Sequence, residues 1–436
     1  INRLAGTSAT AFLCAVLCVY PLYIDKFSNL GVTKFTGCFT LFLLFLLWLV
    51  ACTAIGARAP RPRNANAGRD VTLWGVLAFA GTSLISTFTS LSPTASTWGL
   101  GGYYGGLMLV LFAAAGYWAV RSYLDLENLD FVFWVLGITT SIVAVLYVLN
   151  IFNIDLIGAY ADTAVVERAQ FFSTLGQKDF NGCFFSVALP IVFYQFLNAK
   201  DTRTAVWTGI PAAFGALALA VVDSEALALG IGAAVMVLVC HKNFTTRHLR
   251  RAALISAAFF GWAAWMHYMR ASVYTQGGTA LLAKLGAWQV ALPCMAASLL
   301  LWLVLFVLAR KGIAAQAPLY LPGRVITIAV LAVGALAFVL ANAMPNLPLP
   351  ESLHNLLVFN DDWGTYRGVA WRAAFGTWAD GSLLRKIVGI GPGMMHTAVA
   401  AWAGDAMTAR MATFYAAHNE YLEQLLTTGI LGLAAW

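Results

Sequence analysis

An ionisable cluster stands directly before the last apolar run of the chain, in the sequence Ala417-His418-Asn419-Glu420. Asn419 is a residue type that caps helices, and Glu420 suits the positive end of a helix in its first turn. That positive end disfavours an imidazolium, although Glu420 or Glu423 could oppose the effect. A neutral imidazole at pH 7 is a competent general base. The residue types predict His418 as a base with Asn419 and Glu420 beside the substrate; the alternative is a histidine that only caps or hydrogen-bonds.

Basic side chains in two other segments suit an anionic ligand. Arg168 and Lys178 lie in one segment, and Arg367 and Arg372 lie in the other. Arginine binds phosphate through two parallel hydrogen bonds and keeps its charge at any physiological pH. The alternative is pairing with the acids that occur nearby in both segments.

A glycine-rich turn, Gly389-Ile390-Gly391-Pro392-Gly393, lies about thirty residues before His418. Backbone N–H groups of such a turn, those of Gly391 and Gly393 among them, could cradle phosphate oxygens. Pro392 contributes no donor, and a tight turn without a ligand is the alternative. Combined with a base and arginines, the turn predicts transfer of a sugar from a lipid-linked sugar diphosphate to an acceptor hydroxyl.

Composition defines the elements that must position these residues. The chain is 61% hydrophobic and 10% charged, whereas soluble domains carry about 25% charged residues. This predicts an all-α polytopic membrane protein with little room for a separate soluble domain. The chain begins at Ile1 and stops at Trp436 inside an apolar run, so we expect the natural protein to extend further. Its seven cysteines lie in apolar stretches and are predicted to be small buried hydrophobes, neither disulfide partners nor metal ligands.

Apolar runs of about 20 residues are long enough to cross a bilayer. We predict about twelve, with residues 1–344 as a helix bundle of about eleven spans. Residues 345–420 then form a long external loop with amphipathic helices, and 421–436 begin the last span. The runs are 7–24, 35–57, 71–91, 104–121, 131–152, 182–199, 205–222, 226–241, 252–269, 285–309, 325–344 and 421–436.

Charge asymmetry predicts the orientation. One set of loops holds 15 of the 26 basic residues, and the opposite set holds 14 of the 19 acids. The positive-inside rule places the N-terminus in the cytoplasm, and it places 153–181 and 345–420 outside.

The long loop contains a predicted amphipathic helix from Trp363 to Trp378. Arg367, Trp371, Phe375 and Trp378 recur on one face of it. The helix could lie on the membrane with Arg367 at a lipid headgroup, or it could pack its aromatic side chains on the protein.

Four motifs carry a family resemblance. They are Tyr366-Arg367-x3-Trp371-Arg372, Val388-Gly389-Ile390-Gly391-Pro392-Gly393, Ala417-His418-Asn419-Glu420-Tyr421-Leu422 and Gly429-Ile430-Leu431-Gly432-Leu433. They resemble the O-antigen ligase and Wzy O-antigen polymerase superfamily, and residues 168–190 are similar to another signature of that family. The resemblance implies a GT-C type fold in the bacterial inner membrane, with the active site on the periplasmic side.

The resemblance also implies a chemistry. The family transfers a glycan from undecaprenyl diphosphate to an acceptor, without a metal or other cofactor. It implies Arg168 and Arg367 at the diphosphate and His418 as the base. We further expect substrate to be bound by Lys178, Arg372, Gly391, Gly393, Asn419 and Glu420. The expected partners are the lipid-linked donor, a glycan, lipid or protein acceptor, and membrane lipids, but no nucleic acid.

Two departures from the family pattern support rival hypotheses. Gln177-Lys178-Asp179 replaces residues of the Asn-Pro-Asn kind, and Asp223-Ser224-Glu225 replaces a Ser-Arg pair. Asp223 and Glu225 could instead hold Mg²⁺ in a metal-dependent transferase, since magnesium needs only one or two carboxylates besides phosphate. The chain could also be a capsular or surface polysaccharide polymerase, or a transporter of lipid-linked sugars.

Overall fold

A computed structural model describes residues 2–56, 70–102, 104–124, 126–222, 224–272, 285–313, 316–344, 347–408 and 414–436. The described chain is helical apart from one short hairpin. Its first helices are α1 Asn2–Leu22, α2 Leu30–Gly56, α3 Val71–Phe88, α4 Pro93–Trp98, α5 Leu107–Tyr123, α6 Leu129–Ile151, α7 Lys178–Asn198, α8 Thr202–Val221, α9 Glu225–Cys240 and α10 Thr246–Ser272. The later ones are α11 Trp288–Arg310, α12 Tyr320–Ala343, α13 Glu351–Leu357, α14 Trp363–Ala379, α15 Leu383–Val388, α16 Met395–Thr408, α17 Glu420–Thr427 and α18 Gly429–Ala435.

The hairpin precedes α7. Strand β1 (Phe171–Phe172) pairs antiparallel with β2 (Gly176–Gln177), with Phe171 opposite Gln177. Short 3₁₀ turns lie at Phe27–Asn29, Leu126–Asn128 and Val165–Gln170.

Seven described helices are long and apolar enough to cross a membrane, which agrees with the predicted all-α class and is compatible with a membrane protein. They are Phe27–Cys52, Val71–Phe88, Leu126–Ile151, Lys178–Asn198, Thr202–Val221, Trp288–Arg310 and Tyr320–Ala343. Three further apolar helices are shorter, at Gly6–Leu22, Leu107–Tyr123 and Glu225–Cys240. The number of about twelve spans stays a prediction.

The segment predicted as the start of a last span is interrupted. Residues 421–436 fold as two short helices, α17 and α18, that meet at Thr428, and Gly429 has φ +71° there. A left-handed residue ends the helical hydrogen-bond ladder, so a single helix over 421–436 is wrong.

The chain divides into two compact units. Unit 1 contains Ile1–Ala9, Phe42–Leu124 and Leu331–Trp436; unit 2 contains Thr10–Leu41 and Asp125–Val330.

In unit 1, helix α14 fully buries a face of small residues, whereas its aromatic face is only partly buried. Val369, Ala370, Ala373 and Ala374 are each at most 3% exposed, in a cluster that includes Met395 and Leu426. Small side chains allow helices to approach closely, and α14 packs here against α16 and α17.

In unit 2, the core lies between α6, α7, α8 and the hairpin. Tyr147, Phe185 and Leu189 are at most 1% exposed in that cluster, and the Tyr147 ring stacks on Phe172 at 4.7 Å between centroids. Helix α10 packs against α8 and α11.

Candidate functional site

The peptide that precedes His418 is held from both sides. The indole Nε1 of Trp371, on α14, donates to the Ala417 carbonyl at 3.0 Å, and the Ala417 N–H donates to Glu423 Oε2, on α17, at 2.7 Å. Ala417 itself is fully buried. The backbone before His418 is therefore fixed by two helices of unit 1.

His418 occupies an uncommon backbone conformation. Its φ is +50°, a left-handed region that histidine enters more readily than most residues. The side chain is exposed and meets the Phe414 ring edge-on at 5.8 Å between centroids. Through this left-handed residue the chain passes from the fixed Ala417 peptide into α17. The imidazole lies at the surface of the unit.

Asn419 caps α17 as the sequence predicts. Its backbone is extended, and its side-chain oxygen accepts the Leu422 N–H at 3.3 Å. Glu420 is exposed in the first turn, where Gln424 Nε2 donates to its Oε1 at 2.6 Å. Asn419 thus has a cap role that leaves its amide nitrogen for other contacts.

Glu423 is the titratable group that accepts the Ala417 N–H. Burial raises the pKa of the Glu423 carboxyl to about 7; the Ala417 N–H opposes this shift and the Glu420 carboxylate adds to it. The helix α17 is not among the seven long apolar helices. Glu423 therefore changes its charge near neutral pH, beside the peptide that positions His418.

Arg367 lies one helical turn before Trp371. Gly364, Thr365 and Tyr366 all have positive φ, so the regular part of α14 begins at Arg367. Residues four apart lie on the same helix face, so Arg367 shares a face of α14 with the indole that binds the Ala417 carbonyl. Within the described part of the chain, the Arg367 guanidinium has no hydrogen bond or ion pair.

Arg372 differs from Arg367 because it is paired. Its guanidinium forms an ion pair with Asp361, just before α14, and Val369 N–H donates to the Asp361 carbonyl at 3.1 Å. These contacts fasten residues 359–362 to the helix. A phosphate bound by Arg372 would have to compete with the Asp361 carboxylate.

Three aromatic side chains surround this start of α14. Trp363 and Trp371 lie 5.0 Å apart, and Phe359 lies 5.7 Å and 6.0 Å from them, between ring centroids. The Trp363 indole N–H donates to the Leu356 carbonyl at 3.0 Å. On the face of α14 that carries Arg367, Trp371 and Trp378 pack on the protein, while Phe375 remains 51% exposed.

The glycine-rich turn packs against the junction of α17 and α18. Ile390 N–H donates to Leu426 O at 3.2 Å, and Gly391 N–H donates to Thr427 O at 2.9 Å. A phosphate contact from Gly391 would therefore require the bond to Thr427 to break. Gly393, with φ +70°, approaches the Gly99 backbone so closely that a Cβ there would lie 2.9 Å from its Cα. The observed hydrogen bonds give the turn a packing role.

Arg168 lies in unit 2, in the 3₁₀ turn before β1. Its guanidinium carbon lies 5.5 Å from the centroid of the Tyr160 ring, and its Nε donates to Thr163 O at 3.5 Å. Tyr160 donates its hydroxyl to Phe171 O, and burial raises the pKa of that phenol. The aromatic ring thus supports a cation that no described carboxylate neutralises. A site that Arg168 shares with Arg367 and His418 stays a prediction.

Lys178 is the exposed first residue of α7. The hairpin before it is shaped by Asn181, which is fully buried and donates to the carbonyls of Phe172, Gly176 and Gln177, each at 3.1 Å. Asn181 also accepts from Ser173 Oγ at 2.6 Å. One amide thereby fixes the chain between Arg168 and Lys178.

Sequence reasoning missed three residues that position the site: Trp371 as a hydrogen-bond donor, Asn181, and His396. The His396 Nδ1 lies 3.0 Å from the Phe414 carbonyl and must donate to it, while its ring stacks on Tyr415 at 4.5 Å. An asparagine three residues inside a helix is unfavourable there, and this was the available signal for Asn181.

The metal-dependent alternative requires Asp223 and Glu225. Asp223 lies outside the described residues, so the structure describes only Glu225 of this pair. Glu225 opens α9, and the Ser224 hydroxyl donates to Asp179 at 2.9 Å. Among the described residues, no group of three His, Cys, Asp or Glu is placed to hold a metal. All seven cysteines are free. The prediction that they are buried is confirmed for Cys52 and wrong for the exposed Cys183; the other five are half-buried.

Comparison with models of known families, with curated proteins and with solved structures yields no match to this chain.

Proposed function

We propose that the chain is a membrane glycosyltransferase that moves a glycan from undecaprenyl diphosphate to an acceptor hydroxyl. The observation that carries this proposal is the fixed backbone directly before His418. An exposed imidazole follows a peptide fixed by Trp371 and Glu423. Arg367 lies one helical turn before Trp371 and has no hydrogen bond or ion pair among the described residues. Fixed orientation of a base and a cation is the means by which such transfer is accelerated.

The proposed step balances as a substitution at the anomeric carbon. The acceptor oxygen forms the new bond to that carbon and loses its proton to the neutral imidazole of His418. The bond between the anomeric carbon and the phosphate oxygen breaks, and undecaprenyl diphosphate leaves with the electron pair. Arg367, and Arg168 by the family resemblance, offset the charge that develops on the diphosphate.

A glycan as the transferred group agrees with the surroundings of Arg367. Trp363, Trp371 and Phe359 present flat apolar surfaces at the start of the helix that carries the guanidinium. Binding pockets combine such aromatic walls with a few placed polar groups. Arg367 is more suited to the diphosphate than Arg372, which already binds Asp361.

The proposal is tested by mass spectrometry of lipid-linked and surface glycans from cells with and without the protein. A transferase predicts accumulation of the lipid-linked donor when the protein is missing. Loss of long chains identifies a polymerase, whereas loss of attachment with chains of normal length identifies a ligase. Relocation of an intact donor, without release of undecaprenyl diphosphate, would contradict the proposal and favour a transporter.

The metal-dependent mechanism can be distinguished from the arginine mechanism by measuring the same glycan transfer in excess EDTA. The arginine mechanism predicts full activity there. Activity that disappears and returns with Mg²⁺, together with an inactive Glu225→Ala variant, would favour the rival.

A further inference from the structure

Two arginines of α10 have a structural role. Arg251 donates from Nη1 to three carbonyl groups in and after the last turn of α7, at 2.7, 2.9 and 3.1 Å. Arg247 donates to the carbonyls of Ala199 and Lys200. The last carbonyls of a helix have no partner within it, so these two side chains cap α7.

Arg250 and Arg310 have a different environment. Arg250 stands on α10 between those two caps, and Arg310 lies in the last turn of α11, which packs against α10. Their guanidinium carbons lie 5.9 Å and 5.3 Å from the centroid of the same ring, that of Phe306. In the described part of the chain, neither side chain has a hydrogen bond or an ion pair.

The sequence around this pair supplies no counter-charge. Residues 226–350 contain nine Lys or Arg and no Asp or Glu. Burial and the neighbouring Arg247 and Arg250 lower the pKa of Arg251 below its ordinary value. Two guanidinium groups beside one ring repel each other, and an anion from outside the chain that binds both would offset this repulsion.

If α11 crosses a bilayer, the pair lies at the level of the membrane surface. Trp288–Arg310 is one of the seven helices long and apolar enough to cross a bilayer, and Arg310 is its last residue. Lipid phosphates lie at that level. Leu299, Leu303 and Val307 are exposed along the same helix, so an apolar path continues inward from the cationic pair.

We propose that Arg250, Arg310 and Phe306 form a binding site for the headgroup of an acidic phospholipid. The two guanidinium groups bind the phosphate oxygens, and the acyl chains cover the exposed side chains of α11. Free phosphate shares the headgroup chemistry but would leave the apolar path uncovered. The site does not depend on the proposed glycosyl transfer.

The test uses the purified full chain in phosphatidylcholine nanodiscs that contain phosphatidylglycerol, with bound lipid counted by native mass spectrometry. Arg250→Gln and Arg310→Gln should each weaken phosphatidylglycerol binding about five-fold, the effect of one basic residue at an anionic surface. Neither side chain makes a hydrogen bond to a described residue, and Arg310 is exposed, so at least the Arg310→Gln chain should fold; its elution profile checks this.

Arg203→Gln is the matched control. Arg203 is an exposed basic residue in the first turn of α8. Nearby, hydrogen bonds from Thr204 and, to a smaller extent, Arg203 lower the pKa of the Asp201 carboxyl. This variant should bind the lipid as the parent chain does. The proposed site would be overturned if Arg203→Gln weakened phosphatidylglycerol binding as much as the other two variants do. It would also be overturned if Arg250→Gln and Arg310→Gln both bound phosphatidylglycerol as the parent chain does. Displacement of phosphatidylglycerol by an equal concentration of inorganic phosphate would overturn its assignment to a lipid.

Discussion

His418 combines an exposed imidazole with a left-handed backbone, and the two properties can be separated by substitution. Asparagine tolerates the same backbone region but is not a base. We expect His418→Asn to fold and bind the donor like the parent chain, while turnover falls by about 10²–10⁴-fold, the usual contribution of a general base. The measurement is single-turnover transfer of a lipid-linked glycan.

The control for this variant is His354→Asn. His354 is exposed on α13, in the same predicted external loop, and its replacement should leave turnover unchanged. A folded and fully active His418→Asn chain would contradict the proposed mechanism and leave His418 with only a turn-forming role.

Glu423 predicts a pH dependence of stability. Its pKa is raised from 4.5 to about 7 in the folded chain, so the folded state favours the protonated form. The contribution of this group is fully present below about pH 4.5 and is lost as the pH rises through about 7. We expect the thermal unfolding midpoint to fall across this interval in the parent chain and to fall less in Glu423→Gln.

Glu420→Gln serves as the comparison for that measurement. Glu420 is exposed in the same helix, and its hydrogen bond to Gln424 lies at the surface. Its replacement removes only the smaller of the two effects that raise the Glu423 pKa, and burial remains, so most of the pH dependence of the parent chain should be retained. A midpoint profile of Glu423→Gln that matches the parent would show that Glu423 does not titrate in this interval.

At the scale of elements, two glycine runs far apart in sequence pack on each other. A Cβ at Gly389 would lie 2.2 Å from Thr427 O, and a Cβ at Gly429 would lie 2.3 Å from Ile387 O. Both glycines also have positive φ, 80° and 71°. The absence of side chains permits the backbone hydrogen bonds between residues 390–391 and 426–427.

Gly429→Ala should therefore destabilise the chain by about 2–4 kcal/mol, the sum of left-handed strain and overpacking. Gly81→Ala is the control, because a Cβ at that helical position meets nothing within 4 Å. It should leave stability unchanged or raise it by about 0.5–1 kcal/mol. Equal unfolding midpoints for the two variants would refute the close packing of the glycine runs.

The sequence could predict the local parts of this arrangement but not the distant ones. Asn419 was identifiable as a cap because the cap contact spans three residues. The contact between Trp371 and Ala417 and the pairing of Arg372 with Asp361 depend on where separate segments meet. The aromatic stripe of α14 left open whether it faces the membrane or the protein. The fully buried face holds Ala370, Ala373 and Ala374, because small residues let α16 and α17 approach.

At the scale of the molecule, apolar length and basic-residue bias define what can be predicted. Seven helices meet the length and composition of a membrane span, because twenty apolar residues are a local property of the sequence. The break at Thr428 escaped prediction, since Gly429 could equally have stood inside a helix. The side of the membrane that each loop faces rests on the charge bias alone.

Orientation can be measured with single introduced cysteines. Arg385 and Lys311 are both exposed, and the charge bias places Arg385 outside and Lys311 inside. An impermeant maleimide should label Arg385→Cys in intact cells and label Lys311→Cys only after permeabilisation, with the parent chain as background. The reverse pattern would invert the predicted topology and move His418 to the cytoplasmic side.

The amide of Asn181 has a consequence for the chemical ageing of the chain. Asn181 is followed by Gly182, a pair prone to deamidation: the Gly182 nitrogen attacks the side-chain amide, ammonia leaves, and water opens the ring to aspartate or isoaspartate. In the fold, the amide is bound to three carbonyls inside a helix and cannot reach that geometry. An unfolded chain has no such protection, and a deamidated one would bury a carboxylate against three carbonyls. Peptide mapping after heat treatment should therefore find aspartate or isoaspartate at position 181 in the aggregated fraction and asparagine in the fraction that stays folded.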